Sequence, residues 1–289
     1  MKIPARQLQT WAMLILLAAI WGASFLFMRI AAPVFGSISL MAMRVSLAAA
    51  ALFLYAIFQS SLPDFRRRWK QYLLIGALNN AIPFVLIANS VIALNASISA
   101  ILNATTPLFT ALIATVWIHE PFGWRRALGV GAGFLGVVIL VGYSPLPLST
   151  KVILGVIQSL LGALSYALGA LYLRTRFQGE KPLHNSLGQL TGATVLVLPL
   201  VAFSIPATPP SLTVLLAALA LALICTALAY LIYMHLIASA GPITAVSVAF
   251  LIPIFSILWG VLFLQEPLSL GMFVGLGVIL ASVGLVISR

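Results

Sequence analysis

Apolar residues follow one another in long blocks along this chain, and the blocks end at proline, glycine or a cluster of charge. Each block is close to the ~20 residues a helix needs to cross a hydrocarbon core. The breaks predict ten spans, at roughly 11–31, 37–58, 71–92, 97–118, 123–142, 152–173, 186–204, 213–237, 243–264 and 269–287. The connections are short. The longest, near 59–70 and 174–185, hold about a dozen residues each and leave no room for a soluble catalytic or nucleotide-hydrolysing domain. The start, "MKIPARQLQTWAMLILLAAIWGAS", has the basic and apolar regions of a signal peptide. Its apolar run continues through "FLFMRIAA" without a convincing cleavage site, so it reads as a retained first helix. The expected fold class is an all-α integral membrane protein with ten transmembrane helices.

Composition agrees: 63% of residues are hydrophobic, 7% are charged and the mean hydropathy is +1.18. Ordinary soluble domains are about 25% charged. A net charge of +11 raises the question of a nucleic-acid partner, and the positions of the charges answer it. Alternate connections collect Lys2 and Arg6; Arg66, Arg67, Arg68 and Lys70; Arg125 and Arg126; Arg174, Arg176 and Lys181; and Arg289. Only Lys151 falls in a connection on the other side, while Arg29 and Arg44 lie in or near spans. The positive-inside rule then expects both termini in the cytoplasm, in a multi-pass protein of the inner membrane. The partner is the lipid bilayer, and no nucleic acid is expected.

The two halves of the pattern repeat. "TPLFTALIATVWIHEPFGWRRALGVGAG" aligns with "IPIFSILWGVLFLQEPLSLGMFVGLGVI" at an offset of 146, matching Pro107 with Pro253, Glu120 with Glu266 and Gly129 with Gly275. Upstream, Asn80 and Phe84 meet Thr226 and Tyr230 at the same offset; at 145, Trp21 faces Tyr166 and Arg29 faces Arg174. Two units follow, 1–143 and 152–289, each with five spans. An odd number forces the second copy to enter the membrane inverted. The charges concur, because the counterparts of the basic loops, "SIPATPPS" and "LQEPLS", hold no Lys or Arg. Inverted repeats are typical of transporters, with the substrate site near mid-membrane between the halves.

Proline in mid-span removes a helix hydrogen bond, so Pro107 and Pro253 are expected to bend the fourth and ninth spans as packing kinks or as hinges. Neutral polar stripes lie on several spans. Trp21 and Ser24 are on the first, Asn79 and Asn80 on the third, and Asn103 and Thr106 on the fourth. Tyr166 is on the sixth, Thr226 and Tyr230 on the eighth, and Thr244 and Ser247 on the ninth. One such residue is ordinary interhelical glue, worth about 0.6 kcal/mol; together they point to a cavity for a small uncharged or zwitterionic solute. All four acids lie in connections, so Arg29 and Arg44 have no carboxylate partner within the spans. Arg29 is expected to snorkel, and Arg44 to bind carbonyls, reach the interface or meet a substrate carboxylate, with the structural roles favoured. His235 alone could titrate near neutral pH in a span, which leaves ion coupling undetermined. Gly129-x-x-x-Gly133 and Gly271-x-x-x-Gly275 mark the fifth and tenth spans as close-packed scaffold. One cysteine, no metal-ligand cluster, no nucleophile–base pair and no phosphate-binding loop argue for a protein that is no enzyme and needs no metal or cofactor. Glu120-Pro121 and Glu266-Pro267 read as matched hairpin devices, each glutamate capping the start of the span that follows.

"IWGASFLFMRI", Arg44, "TTPLFTALIATVWIHEP" and "LIPIFSILWGVLFLQEP" resemble the EamA family of the drug/metabolite transporter superfamily over essentially the whole chain. Within it the chain looks most like the YddG-type exporters of aromatic and other neutral amino acids; it departs from many relatives in having Arg29 where lysine is frequent. The resemblance implies ten helices with both ends cytoplasmic and alternating access around a central cavity. It also implies export of small metabolites; separately, a monomer is expected, with a dimer as the alternative. On this reading Trp21, Ser24, Asn79, Asn80, Asn103, Thr106, Tyr166, Tyr230, Thr244 and Ser247 hold the substrate. Alternatives are another metabolite or drug, such as a nucleobase or xenobiotic, or a lipid scramblase with a groove open to lipid.

Overall fold

The computed structural model describes residues 5–204 and 209–287. Lys2 and Arg289 of the charge pattern, and 205–208 of the arginine-free connection, lie outside them. Among the described residues the chain is helical with no strand. Ten spans follow in order: α1 (Ala5–Phe35), α2 (Ser37–Phe58), α3 (Phe65–Ala93), α4 (Ala96–Trp117), α5 (Trp124–Gly142), α6 (Thr150–Arg176), α7 (Pro182–Phe203), α8 (Leu212–Ala240), α9 (Pro242–Leu264) and α10 (Leu270–Ile287). Among the described residues, nine are long and apolar enough to cross a membrane as continuous helices, and bent α9 makes the tenth.

Most boundaries fall within a few residues of the hydropathy breaks. The α2–α3 connection is shorter than expected, because α3 begins at Phe65 and takes Arg66–Lys70 into its first turns. Asp64 makes that start possible by accepting from the Arg67 N–H at 3.0 Å.

The repeat is visible in how the spans pack. α1 lies against α8 and α9 of the second half, and α6 lies against α3 and α4 of the first, as an inverted duplication requires. A buried cluster from α1, α2, α3, α7 and α8 fills the centre, including Met41, Val45, Ile87, Leu190 and Cys225. α5 and α10 run along each other to one side. Their glycines let the backbones approach: a Cβ on Gly271 would lie 2.6 Å from the Tyr143 carbonyl oxygen, and one on Gly275 would lie 2.8 Å from Leu140 Cβ. Large apolar side chains such as Phe58, Val138, Leu216 and Phe263 stay exposed along the outer surface, as lipid-facing positions should.

Two irregularities sit inside spans and are matched between halves. α3 widens into a π-turn at Ala77–Ala81 and α8 at Leu223–Leu228, the same place at an offset of 146. α4 breaks between Asn103 and Thr106 just before Pro107; α9 passes through a 3-10 turn at Ser247–Phe250 before Pro253 and bends there by 41°.

Candidate functional site

The irregular turns converge on a cavity of about 750 Å³ between the halves, within the usual range for a small-molecule site. A π-turn aims extra side chains and backbone groups inward. Here α3 contributes Asn79, and α8 contributes Cys225 and Thr226. The backbone groups that the bulge loosens are met from outside, as where Ser165 Oγ of α6 donates to the Leu78 carbonyl at 2.7 Å.

Hydrogen bonds cross the cavity wall in a pattern that respects the repeat. Arg44 Nε donates to Thr226 Oγ1 at 2.8 Å, joining α2 to α8. Asn79 Nδ2 donates to Gln189 Oε1 at 3.0 Å, joining α3 to α7. Gln189 stands where the offset of 145 places the counterpart of Arg44, so one wall carries a guanidinium and the matching wall a neutral amide. Asn80 Nδ2 donates to the Tyr230 hydroxyl at 3.0 Å. Trp21 and Tyr233 approach at 5.4 Å between ring centroids, and Phe84 meets Tyr166 edge-on at 6.4 Å.

Arg44 is only 5% exposed and does not reach the interface. Its guanidinium stacks 3.7 Å above the Phe84 ring and its Nη1 lies 4.0 Å from the Met28 sulfur. Thr226 is its one strong partner among the described residues, and Arg44 lines the cavity. Arg29 behaves differently. Its Nη1 donates to the Val91 and Ile92 carbonyls at 2.6 and 3.0 Å, so it caps the end of α3 instead of snorkelling to water.

Of the residues expected to bind substrate, Trp21, Ser24, Asn79, Asn103, Tyr166 and Tyr230 line the cavity. Asn80 stands behind Tyr230 with no direct share of the lining. Thr106, Thr244 and Ser247 fall outside it, at the helix breaks. Thr106 Oγ1 bonds the Asn103 carbonyl and Ser247 Oγ the Thr244 carbonyl, both at 2.7 Å, which satisfies polar groups in those irregular turns. Pro107 and Pro253 mark the breaks themselves. Sequence reasoning missed Gln189, although its position opposite Arg44 in the repeat was a usable signal. Among the described residues, Asn103 Oδ1 and Asn80 Oδ1 are buried without a hydrogen-bond partner, as are Ser24 Oγ, Asn185 Oδ1 and Gln71 Oε1.

The cavity runs from these mid-span residues to the α6–α7 connection, at Phe177 and Glu180, and the α8–α9 connection, at Pro242. It therefore reaches the face that carries Arg66–Arg68, Arg125, Arg126 and Lys181. Glu120 lies on this face and Glu266 on the opposite one. Both follow a left-handed residue, His119 (φ 54°) and Gln265 (φ 53°), and both N–H groups bond back to the helix, to Ala114 and Gly260. The Glu-Pro turns are thus the same construction, as expected. Their carboxylates do not cap α5 and α10, because Gly123 caps α5 and both side chains turn elsewhere. Glu120 bonds Arg174 Nη1 at 2.8 Å and Arg126 Nη1 at 3.2 Å. Glu266, 8% exposed, accepts from the N–H groups of Ala96 and Ser97 at the start of α4.

Comparison with known proteins agrees with this geometry. The EamA-like transporter family matches residues 9–142 and again 153–288. The chain is 28% identical over 222 residues to Protein PecM of Dickeya dadantii, covering 76% of this chain and 73% of PecM. It is 27% identical to the uncharacterized transporter YvbV of Bacillus subtilis, over 76% and 72% of the two chains. A solved crystal structure superposes with a TM-score of 0.68 over 96% of each chain at 14% identity, which shows a shared fold. With the same family matched once in each five-span half, this chain belongs to the EamA-like transporter family.

Proposed function

We propose that this transporter exports aromatic and other neutral amino acids from the cell by alternating access, with both termini in the cytoplasm and the cavity facing that side. The observation that carries the substrate class is Arg44. A guanidinium in a membrane interior is costly unless a partner uses its donors, and Thr226 occupies one of five. A substrate carboxylate fits the remaining fork and would form paired charge-assisted bonds. The ammonium of the same zwitterion finds an acceptor in Asn103 Oδ1, which protein groups leave bare. Trp21, Tyr166, Tyr230 and Phe84 then surround the side chain of the bound amino acid, an apolar and aromatic enclosure with hydroxyls at its rim.

The test is counterflow in proteoliposomes with a panel of labelled amino acids. Phenylalanine and leucine are expected to exchange, phenylalaninamide, which lacks the carboxylate, is not, and Arg44→Gln removes exchange of both acids. Exchange of the amide as fast as the acid would sink the carboxylate assignment. Competition by nucleobases or cationic drugs without any amino-acid flux would replace the substrate class.

A further inference from the structure

The two Glu-Pro turns are built alike, yet their glutamates are bonded differently, and so are the two arginines that the repeat pairs. On the face away from the cavity mouth, Arg29 and Glu266 hold one short stretch from both sides. Arg29 Nη1 bonds the last carbonyls of α3, at Val91 and Ile92. Glu266 Oε1 accepts from the Ala96 N–H at 2.7 Å, and Oε2 from the Ser97 N–H at 3.1 Å and its Oγ at 2.6 Å. A cation sits on a helix C-terminus and an anion on a helix N-terminus, each the favourable charge for that end. Gly260 makes room, since a Cβ there would lie 2.6 Å from Glu266 Oε2. The α3–α4 turn is therefore clamped, and none of its residues lines the cavity.

On the mouth face the counterparts are Arg174, at an offset of 145, and Glu120, at 146. They are bonded to each other at 2.8 Å. The equivalent stretch, the α8–α9 turn, receives no hydrogen bond from either among the described residues. Ile237 and Pro242 of that turn instead border the open mouth.

We propose that these four side chains form a lock with two ends, of which one is engaged at a time. At the shut end the arginine and the glutamate grip the turn between the third and fourth helices of a repeat. At the open end they neutralise each other and do not grip the turn. Moving the cavity to the other face exchanges the ends. Arg174 swings to the carbonyls at the end of α8, and Glu120 to the N–H groups of Ile243 and Thr244 at the start of α9. Meanwhile Arg29 and Glu266 release the α3–α4 turn. The ends are not identical, because the position of Ala96 is taken in the second half by Pro242, which has no N–H to offer. The lock rests on the alternating-access reading but not on any substrate.

Hydrogen–deuterium exchange of the full-length protein in lipid nanodiscs, read on peptides covering 94–100 and 240–246, tests it. In the wild type the first should exchange slowly and the second quickly. Ser97→Ala removes a bond to the Glu266 carboxylate that exists only in the locked arrangement. It should speed the first peptide by roughly tenfold and, through the linked exchange of ends, slow the second. Glu266→Gln should act in the same direction with a larger effect, so the result does not depend on the folding of one variant. Ser211→Ala, which loses the cap of α8 on the same face, should move neither peptide. A faster 94–100 with an unchanged 240–246 would make Glu266 a local helix cap and overturn the lock, as would no change in either. Phenylalanine counterflow on the same wild-type preparation separates the readings: reciprocal exchange without uptake refutes the amino-acid assignment and leaves the lock standing.

Discussion

Arg29 was expected to snorkel and Arg44 to take carbonyls, the interface or a substrate carboxylate, but with no acid nearby the chain names a partner for neither. The structure separates them by what reaches them from distant spans: helix-end carbonyls for Arg29, a threonine and an aromatic face for Arg44. Such partners come from tertiary packing, so local sequence holds no signal for them. Glu120 was legible as a turn residue, but its arginine partners depend equally on packing. The hydrogen bond from Arg174, then that from Arg126, holds the Glu120 carboxyl below its ordinary value against an opposing effect of desolvation. A depressed pKa contributes stability that is present above the unfolded value and lost as pH falls through the folded one. The gap in thermal midpoint between wild type and Glu120→Gln should therefore be open near neutrality. It should close only once pH drops below the ordinary carboxylate range, and a gap unchanged down to strong acid would contradict the pairing. Asn103→Leu removes the bare acceptor at the cavity wall; it should slow phenylalanine counterflow while leaving the melting midpoint in place, whereas unchanged flux would take Asn103 out of the site.

At the level of elements, apolar runs broken at proline, glycine and charge located the spans, because a hydrocarbon core requires a helix to satisfy its own backbone. The broken middles of α4 and α9 were announced by their prolines. The π-turns in α3 and α8 were not, since "ALNNA" and "LICTAL" carry no residue that forbids a regular helix. At the α3 bulge a side chain of the other half, Ser165, meets a loosened carbonyl, a contact that local sequence does not display. The glycine faces of α5 and α10 were legible and serve as expected. Gly271→Val puts two methyl groups against the Tyr143 backbone, and overpacking of this kind costs about 1–3 kcal/mol. A lowered thermal midpoint with phenylalanine affinity retained is the expected outcome; lost affinity at normal stability would place α10 in the cavity wall instead.

For the whole molecule, the inverted duplication could be read from one register of proline, glutamate and glycine, and the pairing of α1 with α8–α9 and α6 with α3–α4 is its three-dimensional form. The face toward which the cavity opens could not be read, because near-symmetric halves leave that choice to a few bonds. Pro242 tips it. If the lock has one donor fewer at the end that closes the mouth, the empty protein favours the mouth-open arrangement by about 1 kcal/mol, the net worth of one hydrogen bond. That bias by itself accumulates nothing, since both directions must still balance at equal concentrations. It can make the two sides unequal in rate: an idle molecule waits where solute loads from the basic face, and half-saturation measured from that face falls below the value from the other. Pro242→Ala should bring the two half-saturation concentrations together, turning a carrier with a preferred waiting side into an even-handed one.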